Sequence, residues 1–157
     1  MLGMYTFLAM TEFFENLTPR QMLEKAKCDL QKLSQDINID NVFNFFVTAY
    51  HVIDHIKVLK TVPQDDIDAL YKEPDFRKCM YICNKCKHRI LNRGQGDDEF
   101  LTYQRPSAAL GEFVLGQSAL GLGRAYFIID ETEKVDVLDL GQRIIDRWEA
   151  FFNTHSI

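Results

Sequence analysis

Four stretches of the chain repeat their apolar residues at every third or fourth position, the spacing of a helix that buries one face. The first, LTPRQMLEKAKCDLQKL, carries Leu23, Ala26, Leu30 and Leu33 in that register. Thr18 offers it an N-cap, Pro19 suits its first helical position, and Gln21 completes a capping box. The second, NVFNFFVTAYHVIDHIK over residues 41–57, is apolar around most of its circumference, which predicts a central helix ending at about Lys60. Asn38 or Asp40 can cap it. The third, DFRKCMYICNKCKHRIL, opens at Pro74 and Asp75, and Asn92 and Gly94 stop it. The last starts at Asp139 with Gln142 and carries an apolar stripe of Ile144, Ile145, Trp148, Phe151 and Phe152.

Between these stretches the pattern changes. QDDIDALYKEP reads as a short helical turn at most. Residues 94–123 are punctuated by glycine and read as loop and short strands. AYFII and VDVLDL flank DETEK, which predicts a β-hairpin with a longer turn. The fold expected is mainly α, a four-helix-bundle-like single domain over 1–157 with a small β-hairpin before the last helix.

Composition supports a packed core and narrows the setting. The chain is 46% hydrophobic, with 12 Phe, 6 Tyr and 1 Trp, enough to bury a core without staples. Cys79, Cys83 and Cys86 crowd one segment and Cys28 lies apart, a spacing that fits reduced thiols in a cytoplasmic protein better than secreted bridges. The opening MLGMYTFLAMTEFFEN lacks the basic start of a signal peptide and is too short to span a bilayer, so no membrane association is expected. Net charge is −5, yet Lys72, Arg77, Lys78, Lys85, Lys87, Arg89 and Arg93 stand against only Glu73 and Asp75 over residues 72–93. That basic segment is either a solvated helix face with acidic neighbours or the footprint of a phosphate-bearing partner.

The second helix holds the first candidate chemistry. With Asn44 at zero, Asp40, Thr48, His51 and His55 all fall within about 40° of it on a helical wheel. Such a stripe on an apolar helix is either a solvent-facing edge or the lining of an internal polar cleft. On the third helix, Lys87 lands about 20° from Phe76, in the middle of the apolar face, with Asn84 and His88 at its edge. Lys87 either snorkels or meets a carboxylate, an imidazole or an anionic ligand. Asp54 and His51 are the nearest candidates.

NFFVTAYHVIDHIK, followed some thirty residues later by CNKCKHRIL, resembles the HEPN-like proteins of bacteria and phages. The likeness touches the second and third helices and the aromatic last one, about half of the chain. It implies a small helical bundle, often a homodimer, and active members are metal-independent ribonucleases. Their motif is an Arg, a polar residue, about four spacers and a His. Asn84 matches the polar position and His88 the His, but Cys83 stands where the Arg would steady the scissile phosphate. Lys87 supplies a point charge without the bidentate fork. The resemblance thus implies His88 as acid or base, Asn84 and Lys87 beside it, and His51 as a second proton carrier or a structural partner. Arg77, Lys85 and Arg89 would meet RNA phosphates, with no cofactor required. A non-catalytic HEPN-like module that binds RNA, a nucleotide or a protein is the competing expectation.

Four other constellations carry less. His51 and His55 facing Cys79 and Cys83 would suit zinc, but thiols near an apolar stripe more often serve as small core residues. A Cys–His nucleophile lacks a helix N-terminus to activate it. GEFVLGQS, residues 111–118, imitates a phosphate loop but has Gln117 where Lys is required. Trp148, Phe151 and Phe152 either fill the core or form a dimer surface.

Overall fold

The computed structural model describes residues 17–87, 102–104, 126–129 and 133–157, without the side chains of 86, 87 and the first two strands. In chain order the elements are α1 (Pro19–Gln35), α2 (Ile39–Leu59), α3 (Gln64–Lys72), α4 (Pro74–Lys87), β1 (Thr102–Gln104), β2 (Tyr126–Ile129), β3 (Glu133–Asp136) and α5 (Val137–His155). The protein is mainly helical, and its strands precede the last helix as the sequence pattern predicted.

Helix starts follow local chemistry. Thr18 accepts from the Gln21 amide at 3.2 Å, and the Gln21 side chain accepts from the Thr18 amide at 2.9 Å, closing the capping box. Of the two candidates for α2, Asn38 is the cap, accepting from the Asn41 amide at 2.8 Å. The chain leaves α2 through Lys60 in the left-handed region, at φ 53°, and α4 opens at Pro74 as expected.

Three local expectations are corrected. QDDIDALYK forms a full nine-residue helix, α3, because Ile67 and Leu70 anchor its inner side in the core. The last helix starts at Val137 rather than at Asp139. Asp136 caps it, accepting from the Leu138 and Asp139 amides at 2.9 and 3.1 Å, so one residue both ends β3 and starts α5. Glu133 and Lys134 belong to β3, which leaves residues 130–132 between the hairpin strands, a shorter connection than DETEK suggested. β1 joins the antiparallel hairpin on the far side of β2, giving the order β1-β2-β3.

α2 is central, packing against α1, α4 and α5. Val42, Phe45, Phe46, Ala49, Val52, Ile53 and Ile56 are buried along it. Trp148 of α5 packs edge-on against Phe76 of α4, with ring centroids 4.8 Å apart. Its indole nitrogen donates to the Ala49 carbonyl at 2.9 Å, satisfying the one polar atom the ring buries. Trp148 and Phe152 are core residues, and Phe151 is partly buried against them. Gly141 permits the close approach of α5: a Cβ there would lie 2.7 Å from Leu30 Cδ1 and 3.1 Å from Phe45 Cε1.

Ion pairs lock the helices outside the core. Asp75, only 6% exposed, accepts from Arg143 Nε and Nη2, each at 3.3 Å, and from Arg147 Nε at 3.0 Å. Burial pushes the Asp75 carboxyl up, but the hydrogen bonds and charges of Arg143 and Arg147 outweigh it and hold the group below the usual carboxylate range. Glu149 of α5 pairs with Lys27 and Arg20 of α1. Arg20 also donates to the Ile157 carbonyl at 2.8 Å and lies over the Phe152 ring. No helix among the described residues is long and apolar enough to cross a membrane.

Candidate functional site

The polar stripe of α2 does not line a single cleft; its members part company. Asp40 and Asn44 are exposed. Thr48 is buried against α1, where it donates to Asp29 Oδ2 at 3.0 Å and accepts from Lys25 Nζ at 2.8 Å. Lys25 also bonds Asp29 at 2.6 Å, which satisfies a carboxylate only 5% exposed. The His55 Nδ1–H donates to the Leu17 carbonyl at 2.9 Å. His51 turns toward α4, with Nδ1 2.5 Å from Asp54 Oδ2 and Nε2 4.0 Å from the Cys83 thiol.

The Asp54–His51–Cys83 series has the order of a nucleophilic triad, but Cys83 is 0% exposed. A thiol with no access to substrate cannot attack one, so the series is a polar tie between α2 and α4. The two-His, two-Cys arrangement is not assembled either. Cys79 Sγ donates to the Phe46 carbonyl at 3.8 Å, and His55 is engaged at Leu17. Among the described residues no group of three or more His, Cys, Asp or Glu side chains is placed to hold a metal ion.

Of the site residues anticipated from sequence, His51 and Asn84 are partly buried, while Arg77 and Lys85 are exposed. Lys87 is the last residue of α4, and its side chain lies outside the described residues, as do His88 and Arg89. The phosphate-loop imitation at 111–118 and the N-terminal apolar segment also lie outside them.

The helices bring together a different set. An open groove of about 490 Å³ runs between α2, α3 and α4, lined by Tyr50, Lys57, Tyr71, Lys72, Arg77, Met80 and Tyr81. Tyr50 and Lys57 stand two turns apart on α2, and Arg77 and Tyr81 one turn apart on α4, so each pair shares a helix face. α3, the helix the sequence pattern underrated, contributes Tyr71 and Lys72. Lys57 Nζ donates to the Tyr71 hydroxyl at 3.0 Å and sits 5.1 Å from the ring centroid of the same tyrosine. Tyr50 and Tyr71 rings lie 6.2 Å apart. Arg77 Nη2 approaches the Tyr81 hydroxyl at 3.4 Å.

Electrostatics fix the protonation of this groove. Burial, the neighbouring Tyr71 phenol and a hydrogen bond to it raise the Tyr50 hydroxyl far above the ordinary phenol range, with Cys83 and Asp54 adding to the shift. Tyr50 is therefore a neutral donor at any physiological pH. The bond to Tyr71 raises Lys57; burial lowers it less, and Tyr71, Asp54 and Asp68 reinforce the rise. Lys57 is a firm cation. The basic run over residues 72–93 pointed to Lys72 and Arg77; Tyr50, Lys57, Tyr71 and Tyr81 went unnoticed. Their only sequence signal was an aromatic and a base recurring at helical spacing, which ordinary amphipathic helices share.

Fold and groove together define a mainly helical bundle with a small antiparallel sheet and an aromatic, basic groove. The chain matches no protein-family model, no curated protein and no solved structure.

Proposed function

We propose that this chain is an RNA-binding helical module, similar in plan to HEPN-like bundles, and that the groove between α2, α3 and α4 holds single-stranded RNA. One observation carries the reading: three tyrosines and three cations line one open groove. Tyrosine faces stack on unpaired bases of any sequence, while Lys and Arg track the phosphates. An open groove with room for stacked bases suits a flexible single strand, whereas a rigid A-form duplex is read by shape across a broad surface.

Cleavage is a separate element of this proposal. A HEPN-type ribonuclease would use His88 with Asn84 and Lys87, in the segment of sequence that follows Arg77, Met80 and Tyr81. The support for that element is the motif resemblance, with Asn84 on the same helix as half of the groove.

The binding reading is tested by titrating a short unstructured RNA against the protein over a range of salt concentrations. Three cations acting on a single strand give log K a slope of about −2 against log salt. Affinity that ignores salt, or that survives Tyr81→Ala and Arg77→Gln together, would remove the groove from the reading. Cleavage is tested in the same preparation: equal RNA breakdown by wild type and His88→Ala marks a contaminating nuclease.

A further inference from the structure

The groove has a chemical polarity of its own. Lys57 is an ammonium and only donates, so at 3.0 Å the Tyr71 oxygen accepts from it. The Tyr50 ring lies beside that of Tyr71, with ring centroids 6.2 Å apart. The Tyr71 oxygen accepts from Lys57, and a phenol also carries one proton of its own, which it can give to a further group. The Lys57 ammonium also keeps donors beyond the one it spends on Tyr71. Lys72, adjacent to Tyr71 in α3, and Arg77, at the start of α4, line the same groove. The opposite chemistry sits with Met80 and Tyr81, an apolar thioether beside an aromatic ring.

We infer that Tyr71 and Lys57 form a phosphate subsite in this groove, flanked by Lys72 and Arg77, and that Met80 and Tyr81 take the adjoining base. The inference rests on the RNA-binding reading and adds to it the orientation of the strand unit: phosphate toward α2 and α3, base toward α4. The anion accepts from the Tyr71 hydroxyl and the Lys57 ammonium together, and the Tyr50 ring lies beside that of Tyr71. A tyrosine whose oxygen accepts from an ammonium is a stronger donor than an isolated phenol, because each bond in such a series polarises the next.

The test uses the full chain, a short unstructured single-stranded RNA and inorganic pyrophosphate as the free phosphate probe. Tyr71→Phe keeps the ring and its packing and removes only the hydroxyl. It should weaken RNA binding about tenfold, leave the salt slope unchanged, and abolish competition by pyrophosphate. Lys57→Gln, at an exposed helix end, should weaken binding and reduce the salt slope by about 0.7. Thermal melting of both variants confirms that each is folded. If Tyr71→Phe binds RNA and pyrophosphate as wild type does, the subsite is overturned while the RNA reading stands. If wild type binds pyrophosphate through Tyr71 but takes no RNA, the subsite stands and the RNA reading falls. Binding of neither probe overturns both.

Discussion

The two sides of the bundle treat charge in opposite ways. Where α1 and α4 meet α5, and where α1 meets α2, cations close onto carboxylates of neighbouring residues. Asp75 holds Arg143 and Arg147, Glu149 holds Lys27 and Arg20, and Asp29 holds Lys25 and Thr48. In the groove between α2, α3 and α4, Lys57, Lys72 and Arg77 line one surface together with three tyrosines. A carboxylate answers a cation fully and leaves little for a ligand. A phenol, as Tyr71 is to Lys57, orients a cation without itself neutralising the charge. The chain is acidic as a whole, so its basic groove depends on which charges the fold brings together rather than on net charge.

The contrast can be broken most forcefully at Asp75. Asp75→Ala removes the buried acceptor shared by two arginines. Because both guanidiniums are partly exposed and can rehydrate, the loss should be about 2–3 kcal/mol, toward the low end for a broken buried pair. Chemical denaturation of the variant against wild type measures it. The same carboxyl gives a pH signature. Its folded pKa is depressed, so its contribution is complete above the ordinary carboxylate pKa and disappears as pH falls through the lower folded value. Asp75→Asn should flatten that acid limb of the stability curve. An unchanged limb would mean that other carboxylates carry it.

Thr48→Val probes the α1–α2 side more gently. It keeps the shape and removes the hydroxyl between Lys25 and Asp29, while the direct Lys25–Asp29 bond survives. A loss of about 1 kcal/mol is expected, read as a lower denaturation midpoint with an unchanged slope. The smallest stability effect belongs to the groove: Lys72→Gln should alter stability by less than about 0.5 kcal/mol while lowering RNA affinity several-fold at low salt. A reversed order, with Lys72 mattering to stability and Thr48 not, would erase the distinction between the two sides.

Much of the architecture was legible in the residues. Thr18 and Gln21 around Pro19 spell out the start of α1, and the aromatic density of α2 announces its central place. α3 was underrated because two apolar residues, Ile67 and Leu70, are too few to make a helical period stand out; its stability comes from the core they dock into. The start of α5 was placed at Asp139 because Asp139 with Gln142 imitates a cap signal, and only the end of β3 makes Asp136 the cap. The polar stripe of α2 was real as a set of positions. Its meaning was lost because a helical wheel gives direction from one axis and says nothing of which helix lies there. Thr48 met α1, His51 met Cys83 of α4, and His55 met the backbone at Leu17.

The sequence by itself determined the helical periods, the cap of the first helix, the aromatic core and a basic segment in an acidic chain, because each is set by neighbours within a turn or two. Only the tertiary structure decided that Tyr50, Lys57, Tyr71, Arg77 and Tyr81 share one groove and that Asp75 takes up Arg143 and Arg147. Those groupings join residues from separate helices, and their geometry exists only once the apolar faces have packed and fixed the helices against one another.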